Sequence, residues 1–130
     1  MQKHFYGFEL TRLVDGDTMK GVIDLGFKVK LYATIRFYGI NTPETRTKNL
    51  KEKALGKQAT QFVADLFQDA DIEIMSHNFG KFGRVIATPY ATKRENFEGQ
   101  DAPRINVCEA LVQAGLARWY DGGKRQPWFS

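Results

Sequence analysis

Two polar stretches carry side chains that suit metal-assisted chemistry on phosphate esters. The first, Asp15–Thr18, supplies two carboxylates beside a glycine. Taken alone, it is more typical of a hairpin turn than of a metal site, because Asp and Gly are favoured in turns for backbone reasons. The second, Asn41–Glu44, offers amide and carbonyl oxygens as ligands for a hard cation, and a carboxylate that can act as a base. By itself, this stretch also fits a plain turn.

Two arginines could bind the phosphate that such chemistry requires. Arg36 lies in a predicted strand, on the same face as Thr34 and Tyr38. Arg84 follows Gly83, which lets a backbone approach closely, so the guanidinium could fork two phosphate oxygens. Considered separately, each arginine is more typical of a solvent-facing surface charge.

The combination of these residues favours a catalytic interpretation. Phosphodiester hydrolysis needs a cation that neutralises the phosphate, a base that prepares water, and donors for the charge that develops on phosphorus. These three roles are filled in turn by Asp17 with Asn41, by Glu44, and by Arg36 with Arg84.

The first forty residues predict a meander of three strands. β-branched and aromatic residues recur in the runs Phe8–Val14, Thr18–Leu25 and Lys28–Ile40. The third strand is long, and Gly39 is expected to bend or end it. Pro43 forbids a continuing ladder, and the polar run to Lys53 predicts an exposed loop. A helix of about fifteen residues should follow, because apolar residues recur there at three and four positions. Its stripe consists of Leu55, Ala59, Phe62, Val63, Leu66 and Phe67.

The second half predicts two more strands and a second helix. Ile72 and Ile74 alternate with acidic residues in a short strand, and Arg84–Ala91 forms another. Residues 92–103 are polar and predict a surface excursion. A helix then begins near Asn106 and ends at Gly115, with an apolar face formed by Val107, Ala110, Leu111 and Ala114.

This order of elements matches an α+β fold that is mainly β, a five-stranded OB-fold barrel with two or three helices. Periodicity alone leaves several other α+β folds open. With 130 residues, 42% of them hydrophobic, the chain is expected to form a single domain over residues 1–130. OB barrels commonly bind nucleic-acid strands on one face.

Composition leads us to expect a cytoplasmic protein, and its mild positive charge is compatible with a polyanionic partner, although many proteins share that charge balance. There is no apolar leader and no run near the roughly 18 apolar residues of a membrane span, so no membrane partner is expected. Cys108 has no second cysteine to pair with. The formal charge is +4, and a basic run lies between Arg46 and Lys57. From it, Lys48 and Lys53 are predicted to contact backbone phosphates; the alternative is a solvated helix face. A monomer is the default expectation.

Four ordered blocks give the chain its resemblance to a known family. They read L-V-D-G-D-T at 13–18, I-R-F-Y-G-I-N-T-P-E-T at 35–45, K-F-G-R at 81–84 and E-A-L-V-Q-A-G-L-A at 109–117. Together they span nearly the whole chain, and the sequence resembles the staphylococcal nuclease (thermonuclease) family. The resemblance implies an OB-fold (SNase-like) enzyme with a Ca²⁺ site that cleaves DNA and RNA by attack of water on phosphorus.

Carried over by position, the resemblance assigns a role to each polar residue. It makes Asp17, Asn41 and the Thr42 carbonyl ligands of Ca²⁺, and Glu44 the general base. Arg36 and Arg84 become the phosphate clamps. Phe82, Trp119 and Tyr120 are expected to contact the substrate, with Trp119 stacking on a base.

Several positions depart from the family pattern. The family usually has Asp at the position of Asn41, which puts calcium affinity and metal preference in question. The prototype nuclease has tyrosine in place of Phe82, and Tyr120 is displaced by about one position from the family's second substrate tyrosine. Cys108 replaces a helix-opening asparagine and is expected to be buried.

The sequence therefore leads to a Ca²⁺-dependent nuclease acting on DNA or RNA. The main alternative is an SNase-like nucleic-acid-binding module that has lost turnover, which Asn41 and Phe82 would favour. A protein-binding OB domain rests on fold analogy alone.

Overall fold

The computed structural model describes residues 4–79, 83–94, 102–124 and 126–128. Within those ranges the chain forms eight strands and two helices. In chain order they are β1 (Phe5–Asp15), β2 (Thr18–Asp24), β3 (Lys30–Phe37), β4 (Ile40–Asn41), α1 (Leu50–Phe67), β5 (Ala70–Phe79), β6 (Val85–Lys93), β7 (Arg104–Asn106), α2 (Val107–Gln113) and β8 (Arg118–Trp119).

The main sheet closes on itself. Its described strands lie in the order β3-β2-β1-β5-β6-β7, and an additional pairing joins β3 to β6. That closing pair is parallel, with Ile35 opposite Val85 and Arg36 opposite Ile86, whereas the other neighbours run antiparallel. The predicted α+β, mainly β fold with a five-stranded barrel is confirmed, and two helices accompany it in the described ranges.

The core fills the barrel and the space beneath the two helices. Its largest fully buried hydrophobic side chains come from β2, β3, β4, β5 and both helices: Met19, Ile35, Phe37, Ile40, Val63, Ile74, Val107 and Leu111. Inward and outward residues alternate along β2 and the second half of β3, as expected for strands that bury one face.

The first helix begins earlier than its apolar stripe predicts. It starts at Leu50, so the prediction of a loop as far as Lys53 is wrong. Asn49 explains the start, because its side chain accepts hydrogen bonds from the amides of Lys51 and Glu52 at 3.1 Å each. Five of the six predicted stripe residues, all except Leu55, belong to the core or pack against it.

The third strand covers Lys30–Phe37 of the predicted run Lys28–Ile40, and Gly39 ends it as expected. It ends at Phe37, because Gly39 adopts a φ of 75° that a strand cannot continue through. Beyond this bend, Ile40 and Asn41 pair with Trp119 and Arg118 in a separate two-stranded sheet.

The predicted surface excursion, residues 92–103, is flanked by two strands and overlaps the end of the first of them. β6 continues to Lys93, and Arg104–Asn106 forms β7, a strand that the sequence prediction missed. Residues 95–101 of the predicted excursion lie outside the described ranges. Arg84 itself precedes β6 rather than opening it, contrary to the predicted boundary.

The second helix matches its predicted ends. Asn106 caps it by accepting a hydrogen bond from the Glu109 amide at 3.1 Å, and Gly115 follows it with a φ of 75°. Cys108 is buried, as predicted. Ala114 is exposed, so its assignment to the apolar face is wrong.

Neither described helix is both long and apolar enough to cross a lipid bilayer.

Candidate active site

A polar pocket of about 220 Å³ brings most of the predicted catalytic residues together. It lies where the β1–β2 turn, the end of β3, the loop after β4 and the residue before β6 meet. The side chains around it come from Asp15, Asp17, Thr18, Arg36, Thr42, Pro43, Glu44 and Arg84. Five predicted site residues therefore share one cavity.

The carboxylate of Asp17 is fixed from two sides. One oxygen accepts a hydrogen bond from the Thr18 hydroxyl at 2.9 Å, and the other accepts from the Thr42 amide at 3.1 Å. Asp17 is 8% exposed, so these contacts replace water that the carboxylate would otherwise bind. The turn around it is thus more than a hairpin connection, because it is bonded to the loop after β4.

The guanidinium of Arg36 is held by backbone oxygens. Nη1 donates to the Phe37 carbonyl at 3.0 Å and lies 3.5 Å from the Asp17 carboxylate. Nη2 donates to the Ile40 carbonyl at 2.7 Å. With its side chain 16% exposed, Arg36 is a half-buried, oriented cation, and the solvent-facing alternative is wrong.

Asn41 contacts that arginine and borders a different cavity. Its Oδ1 accepts a hydrogen bond from Arg36 Nη2 at 2.6 Å. Its side chain does not line the polar pocket but does line a neighbouring pocket that includes Trp119. Asn41 therefore connects the two cavities through Arg36.

The backbone at Glu44 is fixed by α1. The Glu44 amide donates to a Glu52 carboxylate oxygen at 2.9 Å. Gly56 allows the loop to lie against the helix, because a Cβ there would sit 2.7 Å from the Pro43 carbonyl oxygen and 2.8 Å from that of Glu44. Neither Glu52 nor Gly56 was singled out from the sequence, although a glycine inside a helix is a recognised sign of close packing.

Arg84 brings a donor that nothing in the described chain uses. Its Nε is buried and has no hydrogen-bond partner among the described residues. A buried guanidinium donor without an acceptor is costly, and Arg84 lines the polar pocket. This position suits an anionic oxygen. Phe82, two residues earlier, lies outside the described ranges.

Asp15 is a pocket residue that the sequence interpretation passed over. It lines the pocket beside Asp17, and its Oδ1 accepts a hydrogen bond from the Thr45 hydroxyl at 2.7 Å. The D-G-D sequence contained the signal, but the first aspartate was attributed to turn formation.

A buried thiol lies beneath the site. Loss of water around Cys108 raises its thiol pKa to about 12, with Arg36 opposing the rise and Asp17 and Glu109 adding to it. The thiol is therefore protonated and poorly nucleophilic at neutral pH.

The pocket offers oxygen ligands of the kind that a hard cation prefers. Asp15, Asp17 and Glu44 provide carboxylates, and Thr42 provides a carbonyl and a hydroxyl. In the described ranges, however, no three acidic, histidine or cysteine side chains are grouped closely enough to hold a metal ion by themselves. The donors fit Ca²⁺ or Mg²⁺ in type, with water or substrate oxygens needed to complete the coordination.

The predicted substrate-binding residues are spread over a wider area. Trp119 is 62% exposed and lines the pocket beside Asn41. Tyr120 lines the same pocket, and its hydroxyl donates to the Gly123 carbonyl. Lys48 is exposed just before α1, and Lys53 is half-buried in its first turn. None of these four lines the polar pocket.

Comparison with known proteins gives matches over most of the chain. A family model described as "Staphylococcal nuclease homologue" matches residues 34–127, which include Arg36, Glu44 and Arg84. The chain is 25% identical over 112 residues to "Micrococcal nuclease" of Shigella flexneri, an alignment covering 86% of this chain and 57% of that protein. It is 29% identical over 120 residues to "Endonuclease YncB" of Bacillus subtilis (strain 168), covering 90% of this chain and 49% of that one. The chain thus spans about half the length of these curated relatives.

Proposed function

Because the chain belongs to the staphylococcal nuclease family, we propose that it is a Ca²⁺-dependent nuclease that hydrolyses phosphodiester bonds of DNA or RNA. The observation that carries the proposal is the convergence of Arg36, Glu44 and Arg84 with Asp17 on one polar pocket. Two cations and a carboxylate base around one small cavity match the needs of phosphoryl transfer. Both relatives have names that describe nucleases.

The two arginines have different parts in this proposal. Arg84 donates from its buried Nε to a phosphate oxygen, since that group has no acceptor in the described chain. Arg36 supplies mainly a fixed positive charge, because its Nη atoms already donate to Phe37, Ile40 and Asn41. A charge oriented before the substrate arrives stabilises the transition state without reorganisation.

Glu44 serves as the general base that takes a proton from the attacking water. Its backbone position is set by the hydrogen bond to Glu52 and by the close approach to Gly56. A base whose loop is fixed against a helix stays at a constant distance from the phosphate. Misplacement by about 1 Å can reduce the rate a hundredfold.

Asp17 and Thr42 are proposed to hold Ca²⁺. Asn41 is proposed as a weaker ligand, because it is uncharged and its Oδ1 also accepts a hydrogen bond from Arg36. When bound, the cation would neutralise phosphate charge and lower the pKa of a coordinated water. Asp17 contributes an anionic oxygen already oriented by Thr18 and Thr42.

The second candidate function is a nucleic-acid-binding module without turnover. The hydrogen bond between Asn41 and Arg36 favours it. While the two side chains are bonded to each other, the Asn41 oxygen is less available to a metal ion and the Arg36 Nη2 is less available to a phosphate. Such a module would bind strands through its basic residues and leave phosphodiester bonds intact.

A cleavage assay with circular single-stranded DNA distinguishes the nuclease from the binding module. We expect linearisation with Ca²⁺, none with a chelator, and a loss of at least about a hundredfold in Glu44→Gln. Glu9→Gln is the matched control, because Glu9 is an exposed carboxylate on β1 that does not line the polar pocket. Binding of the DNA without any cleavage across Ca²⁺, Mg²⁺ and Mn²⁺ would replace the nuclease by the binding module.

A further inference from the structure

The barrel has an open edge next to its closing strand pair. β6 pairs with β3 at Ile35–Phe37, and within the described ranges no strand pairs with the outer edge of Lys30–Thr34. We call Lys30–Thr34 the open edge. The backbone amide and carbonyl groups along such an edge can pair with a further strand.

An apolar pocket of about 220 Å³ lies beside the open edge. Leu31 of the open edge and Phe79 at the end of β5 both line it, and they are 41% and 76% exposed. The buried side chains of Ile23, Ile74 and Val85 also line it. Its volume is below the roughly 300 Å³ of small-molecule sites and suits an inserted apolar side chain.

We propose that the open edge and this apolar pocket form a docking site for an extended segment of another protein, in which apolar and acidic residues alternate. The segment adds a strand to β3 and inserts an apolar side chain into the pocket. Main-chain hydrogen bonds supply affinity in this mode of binding, and the pocket supplies specificity. The docking site does not depend on the nuclease function.

The charge on the open edge selects an acidic partner. Leu31 and Ala33 face the barrel interior, whereas Lys30 and Tyr32 face outwards. Lys28 and Lys30 are exposed, and neither forms an ion pair with a described residue. A docked strand places alternate side chains over the pocket and the others beside Lys30, where opposite charge stabilises the pair.

The turn that precedes the open edge is fixed in an uncommon conformation. Phe27 and Lys28 have φ angles of 52° and 66°, and the Val29 amide donates to the Gly26 carbonyl at 2.8 Å. Positive φ at both central positions matches the strand twist, but it favours Asn or Gly over these residues. The turn keeps the β2–β3 ladder regular up to its end, so the edge is formed before a partner arrives. Such preorganisation lowers the entropic cost of binding.

Other occupants fit the open edge less well. Thr18–Asp24 spans about 20 Å, which separates the open edge from Asp17 and a nucleic acid bound there. A bilayer offers no hydrogen-bond partners to a strand edge. A second copy would bring its own lysines, and lysine on an edge strand opposes self-pairing.

The experiment uses a synthetic peptide of roughly six residues in which valine alternates with glutamate. Its binding to the full chain is measured by fluorescence anisotropy. At saturation, hydrogen exchange of amides in Lys30–Thr34 should slow at least tenfold. The control is Arg104–Asn106, which in the described ranges also pairs on one side, and its exchange should not change. No binding up to about 1 mM peptide, or binding without slower exchange at the open edge, would overturn the proposal.

Two variants test the charge and the pocket separately. Lys30→Glu should weaken the peptide about fivefold and strengthen one that carries lysine in place of glutamate. Lys57→Glu, an exposed change on α1, is its matched control. Leu31→Ser should weaken the peptide at least tenfold, whereas Leu50→Ser, at a side chain that is 78% exposed on α1, should not. Equal binding of the acidic and basic peptides to the wild-type chain would exclude the charge selection.

The rival occupants give different results. Loss of DNA affinity in Leu31→Ser with unchanged peptide binding would assign the open edge to nucleic acid. Self-association of the wild-type chain that Leu31→Ser abolishes, without peptide binding, would assign it to a second copy. Cosedimentation with phosphatidylglycerol vesicles that Phe27→Ser abolishes, again without peptide binding, would assign it to a membrane surface. Each of these results would overturn the proposal.

Discussion

Asn41 Oδ1 accepts a 2.6 Å hydrogen bond from Arg36 Nη2, which joins an uncharged member of the predicted metal set to the half-buried arginine of the site. An amide can accept this bond without cancelling the arginine's charge. A carboxylate at the same position would form an ion pair instead. The asparagine therefore leaves Arg36 with more of its charge for a phosphate and gives the cation less attraction.

Asn41→Asp should lower the Ca²⁺ concentration for half-maximal activity by about tenfold, or roughly 1.4 kcal/mol. A carboxylate attracts a dication more strongly than an amide dipole does. Saturated turnover should rise little or fall. The new carboxylate would partly neutralise the charge of Arg36 and lower the Lewis acidity of the metal ion. Activity is measured against Ca²⁺, Mg²⁺ and Mn²⁺, with Asp17→Ala as the variant that loses metal binding. An unchanged midpoint would mean that residue 41 acts on Arg36 alone.

Arg36→Ala and Arg84→Ala should each reduce turnover at least a hundredfold, because loss of one charged donor costs about 3 kcal/mol of transition-state stabilisation. Their effects on stability should differ. Removing Arg36 leaves the carbonyls of Phe37 and Ile40 without their donor and should cost about 2 kcal/mol. Arg84→Ala removes a buried donor without a described partner and should cost less.

Urea unfolding of the two variants beside steady-state cleavage makes this comparison. Equal destabilisation by both would contradict the contrast in their hydrogen bonding. Near-normal turnover in either variant would remove that arginine from the site.

Gly56→Ala should slow cleavage by about tenfold or more without weakening strand binding to the same extent. The added methyl would meet the carbonyl oxygens of Pro43 and Glu44 at 2.7 and 2.8 Å, so the loop carrying the base must shift. The overpacking should also cost about 1–3 kcal/mol of stability. Gln58→Ala, on the exposed side of the same helix, controls for helix propensity. A normal kcat in Gly56→Ala would show that the helix does not position Glu44.

Alkaline pH should destabilise the fold through Cys108. Burial raises its thiol pKa from 9.0 to about 12, so above pH 9 the unfolded chain loses this proton while the folded chain keeps it. The unfolding free energy should therefore fall between pH 9 and 12, by up to about 1.4 kcal/mol per pH unit, with no contribution below that window.

Comparing wild type with Cys108→Ala isolates this effect from lysine and tyrosine titration. The two stability curves should converge as pH rises above 9. Curves that stay parallel up to pH 11 would show that the thiol titrates normally in the folded chain.

The double variant Lys48→Ala with Lys53→Ala should weaken binding more than it lowers kcat. Both lysines lie at the start of α1, away from the polar pocket. If each neutralises one phosphate of a single strand, the slope of log K against log salt should flatten by about 1.4. Lys28→Ala with Lys30→Ala, in the β2–β3 turn and at the first residue of β3, removes the same charge elsewhere. An unchanged slope in the first pair would favour a solvated helix face.

The residue types that define the site could be identified from the sequence, because Arg36 and Glu44 stand in one contiguous block. The barrel could also be predicted, since turn residues and strand periodicity are local signals. Asp15 was missed because its carboxylate also suits a turn, and its contact with Thr45 joins two distant segments.

What the sequence did not reveal depends on packing between such segments. The contact of Asn41 with Arg36 requires the bend at Gly39, which the sequence predicted, but the pairing of the two side chains across that bend depends on the tertiary structure. The space that Gly56 leaves for the Glu44 backbone is likewise visible once α1 is placed. The earlier start of α1 reflects its cap, Asn49, which outweighs the scarcity of apolar residues in that first turn.

The parallel pairing of β3 with β6 also determines the stage of synthesis and folding at which the site residues can come together. Arg36 and Arg84 approach each other through strands about fifty residues apart, a contact whose loop-closure entropy must be overcome before it forms. A chain synthesised as far as β5 already contains Asp17, Arg36 and Glu44 but lacks the strand that brings Arg84 to them. The proposed active site is therefore complete only after β6 has been synthesised and has paired with β3, and separation of this one strand pair takes Arg84 away from the other site residues.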